Sequence, residues 1–127
     1  MRRIVVDIQN RLLSDAVADV LRNAGVGFVV YAASRPGAAA ELCRQAEPWA
    51  LIMEVAPTEA EKLPSRLATA EQIRKWLPEC KVVLVVDENS DKILARQVCR
   101  AKKDGLIDQF IYSSISSEYL SAVIDSL

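Results

Sequence analysis

Histidine is absent from the chain. Its absence removes the commonest general base, the commonest zinc ligand and any phosphohistidine relay carried by the chain itself. Cysteine is sparse: Cys43, Cys80 and Cys99 match neither a CxxC pair nor a disulfide framework. Their odd number favours reduced thiols and a cytoplasmic setting. With nothing nearby to stabilise a thiolate, they read as small core residues. No apolar run approaches the roughly 18 residues of a bilayer span. The opening Met-Arg-Arg-Ile-Val-Val-Asp meets an acid too early for a signal sequence. Neither export nor a membrane is expected. An excess of one charge is also missing: 16 basic residues face 17 acidic ones, a formal net charge of -1. No global field draws the chain to nucleic acid.

What is present is apolar content, 51% of 127 residues, enough for one core and a single domain spanning 1–127. Five short apolar runs recur: Ile4 to Val6, Val26 to Ala32, Ala50 to Met53, Val82 to Val86 and Leu106 to Ile111. They are rich in Val, Ile and Leu without clean alternation, as in strands buried on both faces of a parallel sheet. Helical periodicity fills the gaps. The first helix starts near Asn10 or Ser14, buries Leu13, Ala16, Val17, Val20 and Leu21, and stops at Ala24-Gly25. The second runs from about Pro36 to Ala46. The third follows a loop from Pro57 to Arg66, turns Ala70, Ile73 and Leu77 inward, and halts before Pro78. The fourth opens at Asn89 or Ser90, buries Ile93, Leu94, Val98 and Ala101, and closes at Asp104-Gly105. The fifth takes Ser116 or Ser117 as its cap and buries Leu120, Val123, Ile124 and Leu127.

Five strand–helix units in alternation predict a three-layer, doubly wound α/β domain with five helices. At this length the flavodoxin-like strand order 2-1-3-4-5 is the natural one, and its crevice lies beyond the carboxyl ends of strands 1, 3 and 4. Asp7 ends the first run, Glu54 ends the third, and Asp87-Glu88 follow the fourth. An acidic pocket of Asp7, Glu54 and Asp87 is expected there, suited to a cation or a phosphoryl group.

Ile4-Val5-Val6-Asp7, Leu51-Ile52-Met53-Glu54-Val55 and Val82-Val83-Leu84-Val85-Val86, set in this five-unit order, resemble the receiver domains of response regulators. Three weaker stretches agree: Ser14-Asp15-Ala16-Val17, Gln72-Ile73-Arg74-Lys75-Trp76-Leu77-Pro78 and Gly105-Leu106-Ile107-Asp108-Gln109-Phe110. The resemblance covers essentially the whole chain. It implies a signalling module in which an aspartate ending strand 3 accepts a phosphoryl group, an acidic pair ending strand 1 holds magnesium, and a strand 5 lysine neutralises charge. Asp7 matches the first acid of the pair, but Ile8 and Gln9 follow it. Glu54 stands at the phosphoacceptor position. Val86 or Asp87 falls where a switch hydroxyl is expected. Phe110 matches the aromatic switch position, and Ser113-Ser114 replaces the lysine-proline pair.

With these positions altered on a retained scaffold, the chain resembles the degenerate, pseudo-receiver branch. Phosphorylation-independent signalling is the leading expectation, without enzymatic activity or catalytic residues. Glu54 supplies at most a partial mimic of an acyl phosphate, about one charge against roughly two. No cofactor is expected beyond weak magnesium on Asp7 and Glu54, whose carboxylates, lacking the lysine, would repel one another and recruit a cation. Two other readings compete. One is a receiver that still binds a divalent cation and responds to phosphorylation through Asp7, Glu54 and Asp87. The other is a small flavodoxin-like ligand-binding enzyme. Against the enzyme, neither GxGxxG nor GxxxxGK followed by Ser or Thr occurs, and the turn Asp7-Ile8-Gln9-Asn10-Arg11 lacks glycines or hydroxyls to cradle a phosphate.

The expected partner is another signalling protein, a sensor kinase or an output domain, the last lying beyond Leu127 or on another chain. Lys92, Arg96, Arg100 and Lys103 form a basic stripe at spacings of four, four and three along the fourth helix. Receivers often dimerise through helix 4, strand 5 and helix 5, so a homodimer is expected there. Glu118 and Asp125 are its acidic counterparts, and Tyr112 and Tyr119 its anchors. Direct nucleic-acid binding would have only this stripe with Arg2 and Arg3, and is not expected.

Overall fold

A computed structural model describes residues 2–35, 37–87 and 92–127. Five strands, β1 (Arg2–Asp7), β2 (Phe28–Ala32), β3 (Ala50–Glu54), β4 (Lys81–Val86) and β5 (Gln109–Tyr112), alternate with five helices. The helices are α1 (Arg11–Arg22), α2 (Ala39–Ala46), α3 (Leu63–Trp76), α4 (Lys92–Lys103) and α5 (Ser117–Asp125). All strand pairings are parallel, in the order β2-β1-β3-β4-β5. The expected three-layer doubly wound fold is the one formed.

Side-chain alternation along the central strands divides the core between two faces. Val5, Leu51, Met53, Val82 and Leu84 meet α2, α3 and α4 through Ala39, Cys43, Ala70, Ile73, Val98 and Ala101. Ile4, Val6, Ile52, Val83 and Val85 meet α1 and α5 through Val17, Ala18, Leu21, Leu120 and Ile124. Because both faces are covered, the inner stretches of β1, β3 and β4, Ile4 to Val6, Ala50 to Met53 and Val82 to Val86, are apolar on both sides, which explains their lack of polar alternation. The Asn10 side chain caps α1 by accepting from the Leu13 N–H at 3.1 Å, and Ser116 caps α5 by accepting from the Tyr119 N–H at 3.3 Å. Helix α2 ends on Glu47 in the left-handed region, φ 47°, immediately before Pro48.

Several boundaries differ from the sequence expectation for local reasons. Strand β2 starts at Phe28, since Val26 sits exposed between Gly25 and Gly27, both with positive φ. Strand β5 starts at Gln109. The Leu106 N–H is spent on the Ala101 carbonyl in closing α4, and Leu106 is exposed. Helix α2 begins at Ala39; Pro36 lies outside the described residues. The expected caps of α4, Asn89 and Ser90, also lie outside them. Ile93 is 66% exposed rather than buried, since it sits about 100° around the helix from Leu94. Ala16 is likewise exposed on α1. Helix α3 starts at Leu63, inside the expected loop, with Pro64 in its first turn where a missing N–H costs nothing. This earlier start decides how the crevice is built.

Candidate functional site

The carboxyl ends of the strands bring Asp7 and Glu54 to one rim. Asp7 is the last residue of β1 and lies in register with Met53, so Glu54 ends β3 one residue further out. Ser113 follows β5 and donates its N–H to the Val86 carbonyl at 3.0 Å. Phe110 is half-buried on β5, edge-on to Tyr112 with ring centroids 5.8 Å apart, and the Lys102 ammonium lies 5.9 Å from its ring centre.

A side chain from α3 enters this rim. Arg66 is buried, and its Nη1 donates to Asp7 Oδ2 at 2.9 Å. Its Nη2 donates to the Asp7 carbonyl at 3.2 Å and its Nε to the Glu54 carbonyl at 2.7 Å. The guanidinium thus joins the ends of β1 and β3, and a planar fork with fixed donor directions suits that task better than an ammonium would. Helix α3 delivers it by periodicity: Leu63, Arg66, Ala70 and Ile73 form its buried stripe.

The Glu54 carboxylate turns the other way. Its Oε1 accepts from the backbone N–H of Gln9 at 3.1 Å and of Asn10 at 3.5 Å, tying the end of β3 to the turn entering α1. Glu61, in the segment between β3 and α3, is a third carboxylate at this end and is buried. Thr58 Oγ1 donates to it at 2.7 Å, and the Gln9 amide, with its nitrogen toward Glu61, donates to both oxygens at 3.1 and 2.7 Å. The segment is held further by the Ala56 N–H on the Glu61 carbonyl and the Ser65 hydroxyl on the Glu59 carbonyl.

The open acidic pocket of Asp7, Glu54 and Asp87 is therefore corrected. Asp7 is neutralised by Arg66, Glu54 is engaged by backbone N–H groups, and Asp87 is exposed just beyond β4. Among the described residues no three His, Cys, Asp or Glu side chains come together in a way that could hold a metal ion. The magnesium expected on Asp7 and Glu54 does not fit this arrangement, because the repulsion meant to recruit it is already relieved by a guanidinium. Sequence reasoning missed Arg66, Glu61, Gln9 and Thr58.

On the far edge of the sheet, Lys92, Arg96, Arg100 and Lys103 are all exposed along α4, with Arg100 3.4 Å from Asp104. Tyr119 is 69% exposed, and a groove of about 390 Å³ between β5 and α5 is lined by Phe110, Tyr112, Ile115, Tyr119 and Val123. Glu118 is exposed beside it, and Asp125 is paired within the chain to Arg2. Arg2 also stacks over Phe28 and Trp49, and Arg3 donates to the Ala46 carbonyl, so both are occupied inside the fold. Burial pushes the Cys43 and Cys80 thiols up to about 12. No helix among the described residues is long and apolar enough to cross a membrane.

No protein-family model matches the chain and no curated protein matches its sequence. Solved structures do match over nearly its full length. A DNA-binding response regulator of the LuxR family from Staphylococcus aureus aligns at 18% identity and a TM-score of 0.74, covering 99% of this chain and 98% of that one. A CheY-like response regulator receiver domain protein from Methanospirillum hungatei aligns at 14% identity and a TM-score of 0.77, covering 99% and 92%. The response regulator TrrA from Thermotoga maritima, solved with magnesium and beryllofluoride, aligns at 16% identity and a TM-score of 0.76, covering 99% and 98%. The fold of this chain is that of response-regulator receiver domains.

Proposed function

We propose that this chain is an atypical receiver domain of two-component or phosphorelay signal transduction, a non-enzymatic, cytoplasmic protein-interaction module whose output does not depend on phosphorylation. The observation that carries this reading is the engagement of Glu54. The carboxylate at the acceptor position accepts the Gln9 and Asn10 N–H groups and serves as a structural acceptor. Phosphoryl transfer needs cations arranged around the developing charge. At the strand 5 position where the resemblance places a lysine, this chain has Ser113. The receiver fold over the whole chain supports a signalling partner, either a sensor kinase, an output domain or a second copy docked on α4, β5 and α5.

The test is an amide-proton NMR spectrum recorded alone, with magnesium, and with magnesium plus beryllofluoride, together with intact mass after incubation with acetyl phosphate. No shift and no adduct are expected. Shifts around Glu54, Asp87 and Phe110, or a phosphoryl adduct, would overturn the reading.

A further inference from the structure

We propose that Arg66 is the resident cation of the crevice: its guanidinium fills the place in which a receiver would hold a divalent metal ion, making the domain metal-independent. The inference rests on the receiver reading only for the metal's expected place.

Three nitrogens of one side chain reach three oxygens, the Asp7 carboxylate at 2.9 Å, the Asp7 carbonyl at 3.2 Å and the Glu54 carbonyl at 2.7 Å. Carboxylate and carbonyl oxygens are the ligands a hard divalent cation selects. Here they are already directed at a positive charge, and that charge is permanent, since guanidinium does not lose its proton in proteins. Only 1% of the Arg66 side chain and 3% of the Asp7 side chain remain exposed, so water has little access to the pair. A metal entering the same oxygens would have to expel a buried guanidinium and break its three hydrogen bonds. Of the neighbouring carboxylates, Glu54 Oε1 holds the Gln9 N–H, and Glu61 accepts from Thr58 and Gln9. The helix that supplies Arg66 is anchored on both sides of it by buried Leu63, Ala70 and Ile73. The cation therefore belongs to the fold, and the charge at Asp7 is balanced whatever the concentration of divalent ions.

Manganese, whose paramagnetism broadens nearby amide signals, tests this in the intact chain. Millimolar manganese is expected to leave the amides of Asp7, Ile8 and Val55 in the unaltered protein no broader than surface amides, with no change in melting temperature. In Arg66→Met, and in Arg66→Gln should the first not fold, selective broadening at those amides and a manganese-dependent rise in melting temperature are expected. Both effects should vanish when Asp7→Asn is added. Selective broadening in the unaltered protein would overturn the proposal, as would a folded Arg66 variant that gains no manganese response. If neither variant folds, the unaltered protein decides alone. A phosphoryl adduct formed from acetyl phosphate in the presence of EDTA would defeat the phosphorylation-independent reading while leaving Arg66 in its role. Manganese broadening without any adduct would do the reverse.

Discussion

Asp7 and Arg66, 59 positions apart in the chain, meet at 2.9 Å where both side chains have lost nearly all contact with solvent. Such a pair is unequal in its consequences: removing one partner strands the other charge, whereas replacing both with apolar groups removes the desolvation cost along with the attraction. Asp7→Ala is expected to lower stability by about 3–5 kcal/mol, a large share of what a domain of this size has. The double variant Asp7→Leu with Arg66→Met is expected to recover part of that loss, since the Asp7 and Glu54 carbonyls still lose the Arg66 donors. Urea denaturation of Asp7→Leu, Arg66→Met and the double variant closes the thermodynamic cycle. Additive losses would show that the pair is not coupled.

The layers, the strand order and the identities of Asp7 and Glu54 at the rim follow from apolar runs and strand ends. The chemistry between them does not. Arg66 is the clearest case, because it looks like the last residue of a polar loop when α3 is started after it. Extending the helix back to Leu63 places Leu63, Arg66, Ala70 and Ile73 at spacings of three, four and three. An arginine on such a stripe must reach a buried carboxylate, and that is the signal that would have exposed it. The Gln9–Glu61 and Gln9–Glu54 contacts carry no comparable signal, since they depend on how two loops fold against each other. Ile93 is exposed because Leu94, Val98 and Ala101, at spacings of four and three, set the inward stripe, and Ile93 lies about 140° around the helix from Val98.

The Glu54 carboxylate acts as an acceptor for the Gln9 N–H at 3.1 Å. Glu54→Gln keeps an oxygen at that position, so it is expected to leave the Gln9 amide protected and stability within about 1 kcal/mol of the parent. Glu54→Ala removes the acceptor and is expected to cost about 1–2 kcal/mol. Hydrogen exchange at Gln9 and Asn10 reads both outcomes. Faster exchange in the glutamine variant would mean that negative charge, not the acceptor oxygen, organises this turn.

Cys43 and Cys80 are raised to about 12 in the folded chain, first by burial. The Cys43 thiol is raised further by Cys80 and Asp7. Cys80 is raised by Asp108 and partly lowered by Arg74. A thiol that keeps its proton longer when folded contributes stability that is fully present below its unfolded value of 9.0. That contribution is lost as pH rises from there toward about 12, because the unfolded chain then gives up protons that the folded one retains. Stability is therefore expected to decline above pH 9, with a shallower slope in Cys80→Ala. At neutral pH a thiol reagent should modify at most Cys99 in the folded protein, and all three cysteines in denaturant. Rapid native modification of Cys43 or Cys80 would contradict their burial.

The face formed by α4, β5 and α5 joins a basic edge to an aromatic groove. Arg96 and Arg100 are exposed and hold no core contact, so Arg96→Glu with Arg100→Glu is expected to leave the melting temperature within a few degrees of the parent. If a second copy docks there, these cations face Glu118 across the two-fold, and the reversal sets like charges against each other. The dimer should weaken by about tenfold or more at low salt and less at high salt, where rim charges are screened. Tyr119→Ala removes an exposed aromatic from the groove and should weaken the dimer at any ionic strength, since apolar burial is insensitive to screening. Sedimentation velocity at two salt concentrations separates the contributions. A dimer unchanged by both alterations would assign self-association to another face and leave this one for a different signalling protein. A chain that stays monomeric at high concentration would leave this face to a different signalling protein.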